Sequence, residues 1–187
     1  FYVQEFAGIN PETGNPLFYT NELDENGDYI KEITENSKNA QFIPYKHAEP
    51  TVNGGISNSL RYKWLDLNFL FSYQFGGYSY DTWAQKTEHG GNDLEANIPT
   101  YYKNSWRKPG DVTKYELFYE KPNVAMNKVT TTRRLHSTDF IRLKTLTFGV
   151  TIPKEWTRTI GIENVRLYAS ANNLWTWAAY DYYDPEA

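Results

Sequence analysis

The stretch "LDLNFLFSYQFGG", residues 65–77, alternates with a period of two. Taken as a strand, it sends Leu67, Phe69, Phe71, Tyr73 and Phe75 to one side and Asn68, Ser72, Gln74 and Gly76 to the other, with Leu70 the exception. Side chains of a strand point alternately to opposite faces. One face is therefore large and apolar, and the other is small and polar. Such a face needs an apolar neighbour, and the choice lies between a protein core and lipid.

The same pattern recurs on either side. In residues 57–64, Leu60, Tyr62 and Trp64 oppose Ser57, Ser59, Arg61 and Lys63, and a tight turn is expected at 65–66. In residues 140–152, Leu146, Phe148, Val150 and Ile152 oppose Thr145, Thr147, Gly149 and Thr151. The first half of that segment has the reverse phase, with Ile141 and Leu143 apolar and Arg142 and Lys144 charged. Either a bulge near Lys144–Thr145 shifts the register, or these residues lie above the apolar layer. Residues 165–177 alternate Val165, Leu167, Ala169, Ala171 and Trp175 with Arg166, Tyr168, Ser170, Asn172 and Thr176. Helical periodicity is nearly absent.

The connections narrow the choice. Residues 10–56 and 79–139 are long and rich in Asn, Gly, Pro, Asp and Thr, whereas the links at 65–66 and 153–164 are short. Strict alternation of long and short links is foreign to a compact sandwich. It is the rule in outer-membrane barrels, whose periplasmic turns are short and whose extracellular loops are long. Aromatic residues cluster near the strand ends: Tyr62, Trp64 and Trp156 toward the short links, Trp175, Trp177 and Tyr180 toward the other edge. That placement matches two interfacial girdles. Lipid is thus the expected solvent for Leu67, Phe69, Phe71, Tyr73, Phe75, Leu146, Phe148 and Val150, and the fold class is all-β, a partial antiparallel transmembrane barrel with long extracellular loops.

Composition agrees. The 187 residues carry 17% aromatics, 16 tyrosines and a net charge of −4, so nothing invites nucleic acid as a partner. The mean hydropathy of −0.71 does not count against a membrane barrel, because alternating residues cancel in the average. Cysteine is absent, which removes disulfides and thiol chemistry. His47, His89 and His136 lack metal-ligand spacing and read as surface or loop residues. The pair Arg133–Arg134 reads as a solvated strand end. The chain begins inside an apparent strand, "FYVQEFAGI", and stops in a turn-rich stretch, as a portion of a longer polypeptide would.

At this point specific motifs carry a resemblance. "TTTRRLHSTDFIRLKTLTFGVTIPKEW" (130–156) and "GIENVRLYASANNLWTWAAYDYYDPE" (161–186) are similar to the C-terminal barrel region of SusC/RagA-like TonB-linked outer-membrane proteins. "FAGINPETGNPLFY" (6–19), "YKWLDLNFLFSYQFGG" (62–77) and "SWRKPGDVT" (105–113) resemble further motifs of that family in the same order. Local departures are Val150, Asp139 and Asn15. The resemblance implies that residues 1–187 are a C-terminal portion of a 22-stranded plugged barrel, without its plug, TonB box and last strand, in the outer membrane of a Gram-negative, Bacteroidota-type cell. It implies uptake of glycans or oligopeptides together with a SusD-like surface lipoprotein. The TonB complex would act through an N-terminal part not contained here, and the remainder of the same barrel and outer-membrane lipid would flank these strands.

Local motifs add little chemistry. "DENGD" (24–28) reads as an Asn-Gly turn rather than a calcium loop, and "WRKPGD" (106–111) as a Pro-Gly corner. Tyr101, Tyr102 and Trp106 are candidates for substrate or partner contact. Asp81, Glu88, Asp93 and Glu95 fall in a stretch that looks flexible and form no catalytic pair. No catalytic, metal or cofactor site is expected. A soluble β-sandwich carbohydrate-binding module and a glycoside hydrolase fragment are the rival readings.

Overall fold

The computed structural model describes all residues except Leu94, Lys121, Asn123, Thr159, Ile160, Tyr183, Pro185 and Ala187. Parts of the 153–164 link and of the final "DYYDPEA" motif therefore lie outside the described residues. Short strands come first: β1 (Tyr2–Gln4), β2 (Phe6–Ile9), β3 (Pro16–Tyr19), β4 (Glu22–Leu23), β5 (Tyr29–Ile30), β6 (Ile33–Thr34) and β7 (Phe42–Pro44). The long β8 (Val52–Tyr62) and β9 (Leu65–Phe75) precede β10 (Tyr78–Tyr80) and helix α1 (Thr82–Thr87). Then follow β11 (Leu135–Ser137), β12 (Phe140–Ile152), helix α2 (Lys154–Thr157) and β13 (Val165–Ala178). No described helix is long and apolar enough to cross a membrane.

The chain divides into two units. One comprises Ala48–Tyr78 and Ser137–Ala187, the other Phe1–His47 and Ser79–His136. The first is an open antiparallel sheet in the order β13-β12-β9-β8. Its register aligns the apolar alternations of all four strands. Leu60, Leu67, Phe148 and Ala169 form one row, and Ile56, Phe71, Leu143 and Trp175 another. The rows between them, such as Ser59, Asn68, Thr147 and Ser170, face the other way. Residues directly opposite across strands share a face, so the sheet has one apolar and one polar side.

The phase problem in β12 is resolved by a bulge. The register shifts between Leu143 and Thr145 in both pairings. Against β9 Lys144 is the extra residue; against β13 the extra residue lies on β13, where Asn173, at φ 53, and Leu174 stand opposite Lys144. Lys144 and Thr145 both look to the polar side, opposite Leu70. Leu143 and Ile141 return to the apolar face, beside Phe71 and Tyr73. The tight turn falls two residues earlier than expected. Tyr62 pairs with Leu65, which leaves Lys63–Trp64 as the connection, with Lys63 in the left-handed region at φ 53. That choice sets Asp66 opposite both Arg61 and Gly149. Gly149 is needed there: a Cβ would lie 2.4 Å from the Asp66 carboxylate oxygens, which accept hydrogen bonds from Arg166 Nη2 at 2.7 Å and Nε at 3.2 Å.

At the opposite end of the sheet, Gly76 takes φ +88 and donates its N–H to Asp139 Oδ1 at 2.6 Å. This gives the departure at Asp139 a structural role. The chain leaves the sheet for the other unit at this end and re-enters it here through Ser137.

The second unit overturns the expectation of two irregular loops. "FYVQEFAGI" is broken into β1, paired with β7, and β2, paired with β3. Segments far apart in sequence share a core of Phe18, Ala40, Val124 and Met126, flanked by Phe6 and Val129. Phe140 apart, the buried apolar side chains of the described residues lie in this unit. The Gln4 amide donates to the Ser37 and Ala40 carbonyls, and its backbone N–H donates to Thr130 O. Both expected turns are present. Asp24 Oδ1 accepts the Asn26 and Asp28 N–H groups, and Asp111 Oδ2 accepts those of Arg107 and Lys108.

The "NPETGN" turn is held from two sides. Pro11 O accepts the Trp106 indole N–H at 2.8 Å and the Gly110 N–H at 2.9 Å. From the other side, the Glu35 carboxylate accepts from Asn10, Thr13 and Asn15 side chains, which accounts for Asn15. Partial burial pushes the Glu35 carboxyl up, but the hydrogen bonds from Thr13, Asn15 and Asn10 outweigh it and hold it below its ordinary value. A carboxylate whose folded-state pKa is depressed stabilises the fold above its unfolded pKa and loses that contribution as the pH falls through the folded one. Hydrogen exchange of residues 10–15 should therefore be slow near neutrality and become faster, relative to intrinsic rates, as acid protonates Glu35. In Glu35→Gln that pH dependence should vanish, and an unchanged acid response would refute the clamp.

Candidate functional site

The sequence "TTTRRLH" builds a buried polar cluster. Thr132–Arg134 form a single 3-10 turn, and this aims both arginines inward rather than into solvent. Arg134 is 1% exposed, and its Nη1 donates to the carbonyls of Met126 and Val129 at 3.0 and 3.1 Å. Arg133 Nη1 donates to Glu116 Oε2 at 2.6 Å. Its guanidinium also lies over the rings of Tyr115 and Phe6, 5.0 and 5.5 Å from their centroids. Glu88 Oε2 meets both guanidiniums, 3.3 Å from Arg133 and 3.4 Å from Arg134. The reading of these arginines as a solvated strand end is thus corrected. Two carboxylates and two guanidiniums neutralise one another inside the unit.

Three tyrosines close the cluster. Tyr101 OH donates to Glu88 Oε1 at 3.0 Å and Tyr102 OH to Glu116 Oε1 at 2.8 Å. Tyr115 stacks on Tyr101 at 4.9 Å and lies 5.0 Å from Tyr102. Burial first, and then the adjacent carboxylates, push both the Tyr101 and Tyr102 hydroxyls up, so they stay protonated and act as donors. Burial lowers the Arg133 pKa, but Glu116, Tyr102 and Glu88 raise it by more. Each buried carboxylate is tied to a guanidinium and to a tyrosine hydroxyl. This arrangement joins Glu88, Tyr101, Tyr102, Glu116, Arg133 and Arg134.

Of the candidate contact residues, Tyr102 and Trp106 are buried and Tyr101 is half-buried. Tyr102 and Trp106 nonetheless line an open cavity of about 570 Å³ with Ile98, Pro99, Lys103 and Phe118. Gly14 packs under Trp106, where a Cβ would stand 2.5 Å from the indole. Residues 81–88, expected to lie in a flexible stretch, are held by their acids. Asp81 caps α1 by accepting the Ala84 N–H at 2.6 Å, and Glu88 is buried in the ion cluster. His89 is 1% exposed, not a surface residue. Among the described residues no group of three or more His, Cys, Asp or Glu is placed to hold a metal ion. Arg133, Arg134, Glu116, Tyr115 and Glu35 were not legible as site residues. The one signal was the uninterrupted charge pair at 133–134 within an otherwise apolar and threonine-rich run.

On the sheet, Leu67, Phe69, Phe71, Tyr73 and Phe75 share the apolar face with Leu146, Phe148 and Val150. An open antiparallel sheet of long strands with one apolar and one polar face is the architecture of a section of barrel wall.

Comparison with known proteins agrees. No family model matches the chain. It is 27% identical over 192 residues to TonB-dependent receptor P3 of Formosa agariphila, covering 100% of this chain and 18% of the relative. It is 29% identical over 139 residues to TonB-dependent receptor P39 of the same organism, covering 71% of this chain and 13% of the relative. Among solved structures, the RagAB peptide transporter matches the whole chain at a TM-score of 0.76 and 28% identity, over 20% of the longer chain. The RagAB peptide importer in its open-open state matches at 0.74 and 27%, over 19%. The chain thus spans about a fifth of the length of the proteins that it matches end to end. In sequence and in fold it is similar along its entire length to a barrel region of SusC/RagA-like TonB-dependent transporters.

The ion cluster gives a direct test. Arg133→Met leaves the Glu116 charge buried with only a tyrosine donor. Removing one partner of a buried pair costs about 3–5 kcal/mol. Urea unfolding of the protein should show a loss of that order, and a loss below about 1 kcal/mol would mean that the cluster is effectively solvated.

Proposed function

We propose that this chain supplies barrel wall and outward loops to an outer-membrane importer of nutrients, driven by a TonB complex that engages another part of the polypeptide. The observation that carries the reading is the apolar face of the sheet. Its outer strands expose Ile56, Leu60, Leu167 and Trp175, and a largely apolar side, with Asn58 beside Phe69, suits lipid. Strand length fits as well. Eleven residues rise about 34 Å, or about 26 Å across the bilayer at a tilt of ~40°, against an apolar band of ~25 Å. A soluble β-sandwich would lay a second sheet on that side, and among the described residues this unit contains only one.

On this reading residues 1–187 are one portion of a single barrel, whose other strands pair with the free edges of β8 and β13. Leu67, Phe69, Phe71, Tyr73, Phe75, Leu146, Phe148 and Val150 face lipid, and Asn68, Ser72 and Gln74 face the lumen. The Lys63–Trp64 turn and the 153–164 link are periplasmic. By parity the unit built from Phe1–His47 and Ser79–His136 belongs to the cell surface. There the cavity above Tyr102 and Trp106, with Tyr101 beside it, meets substrate or a SusD-like lipoprotein. The likeness to a peptide transporter favours peptides over glycans as cargo.

Two measurements test this. Phe71→Arg places a charge in the apolar band and should cost about 2–4 kcal/mol in a bilayer-folding assay; full tolerance would argue against lipid contact. Sidedness is read from single cysteines in the full transporter, freed of other thiols, at Val112, 93% exposed, and at Arg158, also exposed. A membrane-impermeant maleimide on intact cells should label Val112→Cys and spare Arg158→Cys. The reverse pattern would overturn the topology.

A further inference from the structure

On the polar face of the sheet, one basic pair is occupied by the chain's own carboxylates. Arg142 Nη2 donates to Asp184 Oδ1 and its Nη1 to Glu186 Oε2, both at 2.7 Å. Its Nε donates to Thr176 Oγ1 at 3.0 Å. Lys144 Nζ lies 2.8 Å from Glu186 Oε1, which also accepts from Ser72 Oγ at 3.3 Å. Arg142 is 7% exposed, so this guanidinium is covered and its directions are fixed.

A planar guanidinium with its forks filled by two carboxylates, and an ammonium behind one of them, is carboxylate-recognition chemistry. The site is built by the strand itself. Arg142 and Lys144 look to the same side, and the bulge at Lys144 keeps them there while the neighbouring apolar residues remain on the other. The occupants are peptide carboxylates two residues apart. Asp184 keeps 55% of its side chain exposed, so at least one of them is held at the surface of the site rather than inside it. An ion pair whose carboxylate is this exposed contributes little to stability, so the carboxylate of another segment can compete for the same guanidinium.

We propose that Arg142 and Lys144, with Ser72 and Thr176, form a binding site for acidic peptide segments bearing carboxylates at i and i+2, and that Asp184 and Glu186 occupy it in cis as an exchangeable strap. The proposal rests on the barrel reading only where it calls this face lumenal. Displacement is measured in detergent solution and does not depend on sidedness.

The experiment uses the full-length transporter with a nitroxide at Tyr182→Cys as the single thiol. The probes are the capped tripeptides Asp-Ala-Glu and Asn-Ala-Gln. In the otherwise unchanged protein the label should be restrained, saturably released by Asp-Ala-Glu and unaffected by Asn-Ala-Gln. Glu186→Gln should lower the concentration of Asp-Ala-Glu needed for half-release at least tenfold, because a competitor is gone. Lys144→Gln should raise it, and Arg142→Gln should release the label without peptide. If Arg142→Gln does not fold, the Lys144→Gln shift still decides. A label released by Arg142→Gln but indifferent to saturating Asp-Ala-Glu would reduce the strap to a fixed structural tie. A label mobile from the outset, or one released equally by both peptides, would also overturn the proposal.

Discussion

The sheet presents a single apolar face because β12 carries one residue more than its partner β9 at the bulge. A strand has a strict period of two, so any unbroken reading of "FIRLKTLTFGVTI" would put Ile141 and Leu143 on the side opposite Leu146, Phe148 and Val150. Half of β12 would then turn charge toward the apolar side. Lys144 absorbs the mismatch and faces the polar side along with Thr145. The apolar rows run from β8 to β13 as a result, with Asn58 of β8 the polar member of the row that holds Phe69, Leu146 and Ala171, and Arg142 and Lys144 come to stand together on the other side. The same local irregularity thus cleans one surface and equips the other.

The unit outside the sheet obeys a different economy. It has few long strands and a small core around Phe18 and Met126, so polar groups do much of the fixing. Gln4, Glu35, Asp81, Glu88, Glu116, Arg133 and Arg134 tie carbonyls, amides and each other across large sequence separations. Burying four charges is costly unless each finds partners. Here the carboxylates have guanidinium and tyrosine partners, and Arg134 adds two backbone carbonyls. Removing any member leaves its partners buried and uncompensated, so such a network is costly to break.

Much of the sheet could be read from the chain. Alternation located β12 to the residue and β9 and β13 to within three, since side-chain direction is a local property of extended backbone; β8 begins at Val52, five residues before Ser57, inside the stretch expected to be irregular. The turn was misplaced by two residues because Leu65–Asp66 and Lys63–Trp64 are equally plausible by composition; only the partnership of Asp66 with Arg61, Gly149 and Arg166 separates them. The second unit was not legible. Its contacts join residues 1–47 to residues 79–136, and no periodicity reports pairings over such distances. Arg133 and Arg134 illustrate the limit: adjacent charges signal solvent unless Glu88 and Glu116, 17 or more residues away, are known to converge on them.

One hydrogen bond bears on the cost of closing the chain. Asp81 N–H donates to Arg134 O at 2.8 Å, so the stretch between β9 and β12 starts and finishes side by side. Left as random coil, a connection of about sixty residues would charge the pairing of β9 with β12 a closure entropy of roughly 3–4 kcal/mol. With β10 paired to β11 and Asp81 joined to Arg134, the connection is closed near its ends, and that cost is not left to the pairing of β9 with β12 alone. Each wall pairing in chain order thus joins strands whose connecting ends lie close together, β8 to β9 through two residues and β9 to β12 through a connection closed by β10 and β11.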